Sequence, residues 1–474
     1  MLISLFINHF MHWLRIKQRL SLFTFAAATF ATMSSIGFAA QRPNIVFILT
    51  DDMGYSDPGC YGGNFAPTPN IDRLAKEGIR FTQFYDDAPI CSASRCSYIT
   101  GMFPARWNFT TYLDKRAQNR DCEQADFLPT NAPALARVLK AAGYKTAHFG
   151  KWHLGGGRDV TNAPLFSAYG YEESVGTYES PEPDPDITAT GWIWSPKDKV
   201  KRWERTGYFV DHALDFLKRH QDKPCYVEIW PDDVHTPWVP DVERQQKRGT
   251  WESRKNFSAV LAEYDRQMGR LFDGLKALGL ETKTLVVFTS DNGPLPHFQH
   301  TRTDGMRGSK LSLYEGGVRV PFIVRWPGHA EPGRVDEQTV MQMVDLFPTF
   351  CAIARAPLPE GFAFDGQNRI SAFNGKQSEQ PKTIFWEYGR TSKLFHYPRA
   401  VYDRSPHLAV REGEWKLLVN PDGSEVQLYH VATDREETNN LATVQVELAE
   451  RLKKAALAWK KSLPAYLHAE GSEF

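Results

Sequence analysis

Apolar residues along this chain form short runs that alternate with amphipathic segments. From about residue 44 to about residue 355 the runs are rich in β-branched residues, which is typical of parallel strands covered by helices. The pattern predicts strands at residues 45–49, 225–230, 285–288 and 321–325, and helices at residues 68–77, 133–142, 208–219 and 257–278. We therefore predict an α/β fold with a large, mostly parallel sheet sandwiched by helices.

The pattern changes beyond about residue 380. Three strand-like segments are separated by turn signals and followed by a helical segment, which favours an antiparallel meander with one helix; they are residues 408–411, 415–419, 426–429 and 444–463. The chain is therefore divided into a large domain over residues 40–380 and a smaller C-terminal subdomain, an antiparallel sheet plus a helix, over residues 381–474. The proline-rich stretch 179–199 is predicted to be a surface loop.

The first forty residues form a different kind of sequence. Three basic residues within 15–19 precede an apolar run at 20–31, and small residues follow just before an expected cleavage site after residue 39 or 40. This order is typical of a signal peptide, so residues 1–39 are predicted to direct export to the periplasm or the exterior. Translation from Met11 instead of Met1 would leave a more compact basic start, and the competing interpretation is an uncleaved membrane anchor.

The composition of the 474 residues, 42% hydrophobic and 24% charged, allows a full core and excludes disordered, collagen-like and coiled-coil chains. The 56 basic residues equal the 56 acidic ones, so the chain lacks the basic surface expected of a nucleic-acid-binding protein. Six scattered cysteines form neither a disulfide framework nor a zinc spacing, although an oxidising compartment would allow one or two bridges. Because the basic and acidic residues balance, any recognition of an anion must come from a local site.

Acidic side chains follow two of the predicted strands. Asp51 and Asp52 come directly after the first strand, and Asp291 and Asn292 follow the strand at 285–288. Open α/β sheets bind ligands at the carboxyl ends of their strands, and these hard oxygen ligands suit Ca²⁺ or Mg²⁺. Acidic residues at strand ends also cap helices, so the spacing alone leaves both interpretations open.

A cysteine begins a segment that is predicted to be helical and is stopped by Gly101. Cys91 precedes Arg95 by about one turn, in a positive field that favours an anionic neighbour. Taken alone, such a cysteine is more often a small buried residue than a nucleophile.

Two lysines and two histidines lie in short segments flanked by glycine or proline. Lys151 and His153 are two positions apart, so an extended backbone points both side chains the same way. His235 and Lys310 add a second histidine and a second lysine. Taken singly, each histidine is more often satisfied or solvated, and each lysine is more often a surface charge.

These segments, in this order, resemble the sulfatase family of the alkaline-phosphatase-like superfamily, in its formylglycine-dependent branch of arylsulfatases and N-acetylgalactosamine-6-sulfatases. The family signature is Cys or Ser, any residue, Pro or Ala, any residue and Arg, closed by Thr-Gly, and residues 91–101 fill it with Ala93 at the third position. The Asp-Asp pair, the Gly-Lys-Trp-His-Leu-Gly block, the His-x-Pro block, the Asp-Asn-Gly block and the block from 310 to 321 also match. The resemblance covers residues 43–326.

The resemblance implies a sulfuric ester hydrolase with a modified cysteine and one metal ion. Cys91 is expected to be oxidised by a formylglycine-generating or anaerobic sulfatase-maturating enzyme to formylglycine, or 3-oxoalanine, whose hydrate is the nucleophile. One Ca²⁺ is expected, and its implied ligands are Asp51, Asp52, Asp291, Asn292 and the modified residue 91.

The resemblance also assigns roles to the basic residues. Arg95 is expected to hold the hydrated aldehyde, and Lys151 and Lys310 are expected to contact sulfate oxygens. His235 is expected to protonate the leaving alcohol, after which His153 removes a proton from the second hydroxyl and sulfate is expelled.

The substrate depends on loops that the shared motifs do not fix. Export and a family rich in carbohydrate sulfatases favour a sulfated saccharide, such as an algal polysaccharide or a glycosaminoglycan fragment. His300 and Arg302 are predicted to bind the sugar because they lie close in sequence to Asn292. Further candidates for the sugar pocket are Trp107, Asn108, Tyr112, Lys115 and His297.

Two alternatives remain open at this stage. The first is a phosphomonoester or phosphonate hydrolase of the same superfamily, and the second is a catalytically silent protein that binds sulfated glycans. No nucleic-acid partner is expected, nor any stable membrane insertion after signal cleavage.

Overall fold

A computed structural model describes residues 42–190, 194–247, 249, 251–376, 382–390 and 398–465. The predicted signal peptide, residues 1–39, and the predicted domain boundary at residues 380 and 381 lie outside these residues. Within the described part, no helix has the length and apolar character needed to cross a membrane. All six cysteines are described, and all six are free thiols.

The larger of two sheets contains nine strands among the described residues. These strands, β1 to β9, are Asn44–Thr50, Ile79–Tyr85, Lys145–Gly150, Glu173–Gly176, Cys225–Trp230, Thr284–Ser290, Arg319–Arg325, Arg334–Asp336 and Met341–Gln342. The spatial order is β4-β3-β5-β1-β6-β7-β2-β8, and β9 pairs with β2. Strand β7 runs antiparallel to both of its neighbours, and the other pairings are parallel. The prediction of a large, mostly parallel sheet is therefore confirmed.

Helices cover both faces of this sheet. The described helices, α1 to α11, are Pro69–Glu77, Cys91–Thr100, Arg116–Asp121, Leu135–Ala141, Arg205–Arg219, Val242–Gln246, Arg254–Ala277, Glu315–Val318, Leu346–Ala354, Ile370–Phe373 and Val446–Ser462. Successive residues of β1 face opposite sides, so Phe47 packs in a core that includes Tyr98 of α2, whereas Ile48 packs in a second core with Phe209 of α5 and Leu261 of α7. Both faces of β1 are buried, which explains its unbroken apolar run.

The smaller sheet has four antiparallel strands in sequence order. Strands β10 to β13 are Thr383–Glu387, Leu408–Glu412, Trp415–Val419 and Gln427–His430. Helix α11 packs on it through Leu452 and Ala456, which contact a core that contains Val410 and Leu417. The predicted meander and its helix are confirmed, and β10 is an addition that the sequence analysis did not predict.

Buried charges join the two sheets. Lys416 Nζ of β12 lies 3.0 Å from Glu315 Oε1 and 3.2 Å from Glu437 Oε1. Glu315 Oε2 accepts a hydrogen bond of 2.7 Å from Tyr85 of β2 and lies 3.2 Å from Arg319 Nη1 of β7. We call these five residues the inter-sheet cluster. They fix the smaller sheet to one end of the larger one.

Candidate active site

Two neighbouring strands deliver the acidic residues to one edge of the large sheet. Strands β1 and β6 pair in parallel register, with Thr50 opposite Ser290. The next residues of each strand, Asp51 and Asp52 after β1 and Asp291 after β6, are therefore adjacent, and all three are buried. Asp52 adopts a left-handed backbone conformation, with φ of 60°, which an aspartate tolerates better than most residues.

Helix α2 brings Cys91 to the same edge. Its Sγ lies 3.6 Å from Asp51 Oδ1 and 3.3 Å from Lys310 Nζ. Asp51, Asp52, Cys91 and Asp291 each offer a ligand atom, and these atoms all lie within 4.8 Å of one another. Among the described residues this is the single group of three or more histidine, cysteine, aspartate or glutamate side chains with this spacing.

Two buried oxygen atoms in this cluster are open acceptors. Asp52 Oδ2 and Asn292 Oδ1 accept no hydrogen bond from any residue that the structure describes. Unsatisfied buried oxygens are costly, so they indicate a missing donor or cation. Apart from Cys91 Sγ, the ligand atoms of this cluster are carboxylate and amide oxygens, and such a set fits Ca²⁺ better than a metal that prefers nitrogen and sulfur.

Three basic residues, Lys151, Lys310 and Arg95, surround the carboxylates. Lys151 Nζ lies 2.7 Å from Asp51 Oδ2, and Lys310 Nζ lies 2.6 Å from Asp52 Oδ1. Burial alone would raise the pKa of Asp51, but Lys151 and the neighbouring cations hold it well below its usual range. Burial outweighs these charges at Asp291 and raises the pKa of that carboxyl to about 6.

Arg95 is completely enclosed and lies outside the residues that line the pocket beside Cys91. Its Nη2 donates a hydrogen bond of 2.7 Å to Asp291 Oδ2, and its Nη1 donates one of 2.7 Å to the backbone oxygen of Lys151. The guanidinium therefore fixes the Asp291 carboxylate relative to a pocket lysine, and its contact with the hydrated aldehyde stays a prediction.

Two histidines face the cluster. His235 Nε2 lies 3.5 Å from Asp52 Oδ2, and burial lowers the pKa of this ring. His153 Nδ1 lies 3.4 Å from Glu179 Oε2, and its Nε2 lies 3.1 Å from the backbone oxygen of Leu113. Burial lowers the pKa of His153 to about 3 although Glu179 opposes the shift, so the ring is neutral near pH 7.

A cavity of about 250 Å³ opens beside Cys91. The predicted residues Asp51, Lys151, His153, His235 and Lys310 line it, as does Tyr112. Its remaining lining includes residues that the sequence analysis missed, namely Arg158, Tyr178, Glu179, Arg202 and Asp232. Glu179 lies in the stretch predicted as a surface loop, yet it is buried, as are Thr177 and Ser180 beside it, and the prediction of an exposed position is wrong for this residue.

The predicted sugar-binding residues His300 and Arg302 do not line this cavity. Arg302 is buried, and its Nη2 lies 2.6 Å from Asp57 Oδ2 and donates a hydrogen bond of 2.8 Å to the backbone oxygen of Asp52. His300 Nε2 lies 2.9 Å from Asp403 Oδ1. The charge of Arg302 is matched by Asp57, and this side chain holds the backbone of Asp52; its contact with a sugar stays a prediction.

The other predicted pocket residues, Trp107, Asn108, Lys115 and His297, are also absent from the cavity lining. Tyr112, which was predicted together with these four residues, does line the cavity. Its ring centroid lies 6.4 Å from that of His153, which places an aromatic face beside the catalytic candidates.

Comparison with known proteins assigns the chain to a family. The family model described as Sulfatase matches residues 43–356, and the model described as N-sulphoglucosamine sulphohydrolase, C-terminal, matches residues 309–461. The N-acetylgalactosamine-6-O-sulfatase of Bacteroides thetaiotaomicron is 28% identical over 501 residues, covering 88% of this chain and 93% of that protein. Arylsulfatase A of Homo sapiens is 32% identical over 411 residues, covering 81% of this chain and 76% of that protein.

A solved structure shares the whole architecture. The crystal structure of Ps i-CgsB in complex with k-i-k-neocarrahexaose superposes with a TM-score of 0.73 at 25% identity, covering 88% of this chain and 93% of that chain. The fold is that of the alkaline-phosphatase-like hydrolases. The chain belongs to the sulfatase family, and it is a sulfuric ester hydrolase.

Proposed function

We propose that this sulfatase removes sulfate from a sulfated carbohydrate, with Cys91 converted to formylglycine and one Ca²⁺ bound. The position of Cys91 carries the proposal, because its Sγ lies 3.3 Å from Lys310 Nζ at the start of a buried helix and beside the cavity. Burial raises the pKa of this thiol well above its ordinary value, although Lys151 and Lys310 oppose the shift. An unmodified Cys91 is therefore a poor nucleophile near neutral pH. Oxidation to formylglycine would supply an oxygen nucleophile at this position.

The acidic residues would hold the metal ion. Asp51, Asp52, Asp291 and Asn292 present oxygen atoms at one edge of the sheet, and two of those atoms are open acceptors. Bound there, Ca²⁺ would neutralise charge on the sulfate and lower the pKa of an oxygen nucleophile.

The lysines and histidines would act on the substrate itself. Lys151 and Lys310 both line the cavity beside Cys91, where charge-assisted hydrogen bonds would orient the sulfate oxygens. His235 would donate a proton to the leaving oxygen of the sugar, and His153, which is neutral, would accept a proton at residue 91. Because burial lowers the pKa of His235, the proton-donating form of this ring forms at a lower pH than in an exposed histidine.

The relatives support a carbohydrate substrate. One is named for N-acetylgalactosamine 6-sulfate chemistry, and a solved neighbour holds a neocarrahexaose. Residues 1–39 would direct export to the periplasm or the exterior, and a sulfatase-maturating enzyme would be the partner that modifies Cys91. The saccharide would be the other partner.

Peptide mass spectrometry of protein made together with a maturation enzyme tests the proposal. We expect the Cys91 peptide to carry an aldehyde in place of its sulfur, and the same preparation to hydrolyse 4-nitrophenyl sulfate and sulfated sugars. Cys96, on the same helix, provides the matched control and should remain a thiol. An unmodified Cys91 in a host that modifies another sulfatase would overturn the proposed nucleophile.

A further inference from the structure

The loop that carries Lys310 contains a turn with a strained backbone. Leu311, the next residue, has a φ of 74°, in the left-handed region that a leucine rarely adopts. Gly308 begins the turn with a φ of 85°, and a Cβ added there would lie 2.8 Å from Ser312 Oγ, so the backbone is tightly folded. A strained conformation of this kind persists only where the surrounding contacts hold it. We call residues 308–313 the Lys310 turn.

Two backbone hydrogen bonds tie the middle of the Lys310 turn to the active-site edge. Lys310 N donates a hydrogen bond of 2.7 Å to the backbone oxygen of Pro294, in the segment that follows β6. Leu311 N donates one of 2.9 Å to the backbone oxygen of Pro89, just before α2. These bonds fix the middle of the turn, and its two ends are held by a different part of the chain.

The ends of the Lys310 turn bind a segment that lies much further along the chain, just before β11 of the smaller sheet. Gly308 N donates a hydrogen bond of 3.2 Å to Asp403 Oδ1, and Leu313 N donates one of 2.9 Å to Ser405 Oγ. Asp403 and Ser405 are both buried. We call residues 402–405 the clamp, because they contact the turn at its first and last residues.

Further contacts fix the clamp against the segment that precedes the turn. Asp403 Oδ1 also lies 2.9 Å from His300 Nε2, so one carboxylate oxygen joins His300 to the turn. Arg307 Nε donates a hydrogen bond of 2.8 Å to the backbone oxygen of Tyr402, and its guanidinium carbon lies 4.2 Å from the centre of the Tyr402 ring. None of residues 402–405 lines the active-site cavity, so the clamp can affect the reaction only through the residues that it holds.

The Lys310 turn determines where the Lys310 ammonium lies. Its Nζ lies 2.6 Å from Asp52 Oδ1 and 3.3 Å from Cys91 Sγ, at the position where the nucleophile is proposed to form. Leu311, with its strained backbone, lines the cavity beside it. Moving a catalytic group by about 1 Å can lower turnover on the order of 10²-fold, so a turn that relaxed would cost activity even in a folded protein.

We propose that Asp403 is a positioning residue for Lys310, and that the clamp maintains the strained turn that aims the ammonium at residue 91 and the sulfate. This inference rests on the proposed function, since it concerns how Lys310 acts in that same site. It gives the segment before β11 a role in the reaction that requires no contact with the substrate.

A double-mutant cycle between Asp403 and Lys310 tests the inference, with each rate normalised to the folded fraction and to the formylglycine content found by mass spectrometry. Asp403→Ala should lower kcat for 4-nitrophenyl sulfate about 10- to 10²-fold, and Lys310→Met should lower it further. Adding Asp403→Ala to Lys310→Met should cause no further loss beyond about twofold, because the lysine that Asp403 positions is then absent. Losses that multiply would overturn the inference, since Asp403 would then act independently of Lys310.

Binding of inorganic sulfate to the Ca²⁺-loaded protein repeats the cycle without turnover. Asp403→Ala and Lys310→Met should each weaken sulfate binding in a calorimetric titration, and the double variant should bind sulfate as weakly as Lys310→Met. A further weakening in the double variant would count against the inference. Ser405→Ala removes the hydrogen bond at the other end of the turn and should lower kcat by a smaller factor, again only while Lys310 is present. This variant gives an answer even if Asp403→Ala fails to fold.

Asp403→Asn and Asp422→Ala are the controls. The amide of Asp403→Asn keeps an oxygen that can accept the Gly308 N–H, so this variant should recover most of the rate that Asp403→Ala loses. Asp422→Ala removes an exposed carboxylate that accepts hydrogen bonds from Ser424 between β12 and β13, and it should leave kcat unchanged. A loss in Asp422→Ala as large as that in Asp403→Ala would mean that the effect is general to the smaller sheet, and the inference would then be wrong.

Failure of this inference and failure of the proposed function give different results. Loss of turnover in Lys310→Met but not in Asp403→Ala would overturn the inference alone. Unmutated protein with formylglycine at residue 91 that hydrolyses neither 4-nitrophenyl sulfate nor any sugar sulfate would contradict the proposed function itself.

Discussion

Two clusters of buried charge in this protein look alike and differ in their access to a cavity. The cluster around Cys91 and the inter-sheet cluster both combine carboxylates with lysine and arginine in the protein interior. Both also contain buried oxygens that accept no hydrogen bond from the described residues, Asp52 Oδ2 and Asn292 Oδ1 in the first and Glu437 Oε1 in the second. Around Cys91, Asp51, Lys151 and Lys310 line a cavity, whereas Glu315 and its partners Lys416, Tyr85 and Arg319 do not. Buried charge and open acceptors alone therefore do not identify a site, and access to a cavity separates the two clusters.

The largest expected effect is the loss of turnover when Cys91 is removed. Cys91→Ala should lower kcat/KM for 4-nitrophenyl sulfate on the order of 10⁴-fold or more, because no nucleophile remains. Cys96→Ala, on the same buried helix but outside the cavity lining, should retain activity in proportion to its folded fraction. Similar losses in both variants would mean that the cluster around Cys91 is structural, like the inter-sheet cluster.

The second expected effect is on stability. Lys416→Met leaves Glu315 and Glu437 without their shared cation, so the free energy of unfolding should fall by about 3–5 kcal/mol. Turnover per folded molecule should not change. Lys310→Met should do the reverse in the presence of Ca²⁺, with turnover lost and a smaller change in stability. Denaturant unfolding and kinetics on both variants decide whether the two clusters have separate roles.

The third effect concerns metal removal. Chelation should abolish activity and lower the free energy of unfolding, by about 2.7 kcal/mol relative to Ca²⁺ at 100 times its Kd. Thermal unfolding at several Ca²⁺ concentrations measures this shift. In Asp291→Asn the shift should shrink, and in Lys416→Met it should persist. A Ca²⁺-independent midpoint in the unmutated protein would argue against the metal site.

The smallest effect is a pH dependence of the inter-sheet cluster. Burial raises the pKa of Glu437 to about 7, and Lys416, which Glu437 shares with Glu315, only partly opposes this shift. The native state thus binds more protons than the unfolded chain between about pH 4.5 and 7, so this group lowers stability as the pH rises through that window. Glu437→Gln should remove about 2.5 kcal/mol of that decline when unfolding is compared at pH 5 and pH 8. An identical pH profile in both proteins would contradict the assigned shift.

The strands and the acidic edge were predictable from sequence because both depend on local patterns. The apolar run at 45–49 became β1, and Asp51 and Asp291 met because adjacent parallel strands end at one edge. The pairing of Arg158 with Glu179 was not predictable, since these residues become partners only through tertiary packing. Closeness in sequence to Asn292 did not bring Arg302 into the cavity lining. The backbone has positive φ at three successive residues, 298–300, and the Arg302 side chain that follows them pairs with Asp57.

The complete burial of α2 limits when its first residue can be altered. All ten residues of the helix are buried, and Cys91 has 2% of its surface exposed. An enzyme that oxidises Cys91, as the proposed function requires, would need access to a residue that the folded protein buries. Modification and folding would therefore compete in time during biosynthesis, and a chain that folded first would remain unmodified. The fraction of active enzyme would then be set by relative rates, and slower folding would raise the yield of active molecules without changing any residue.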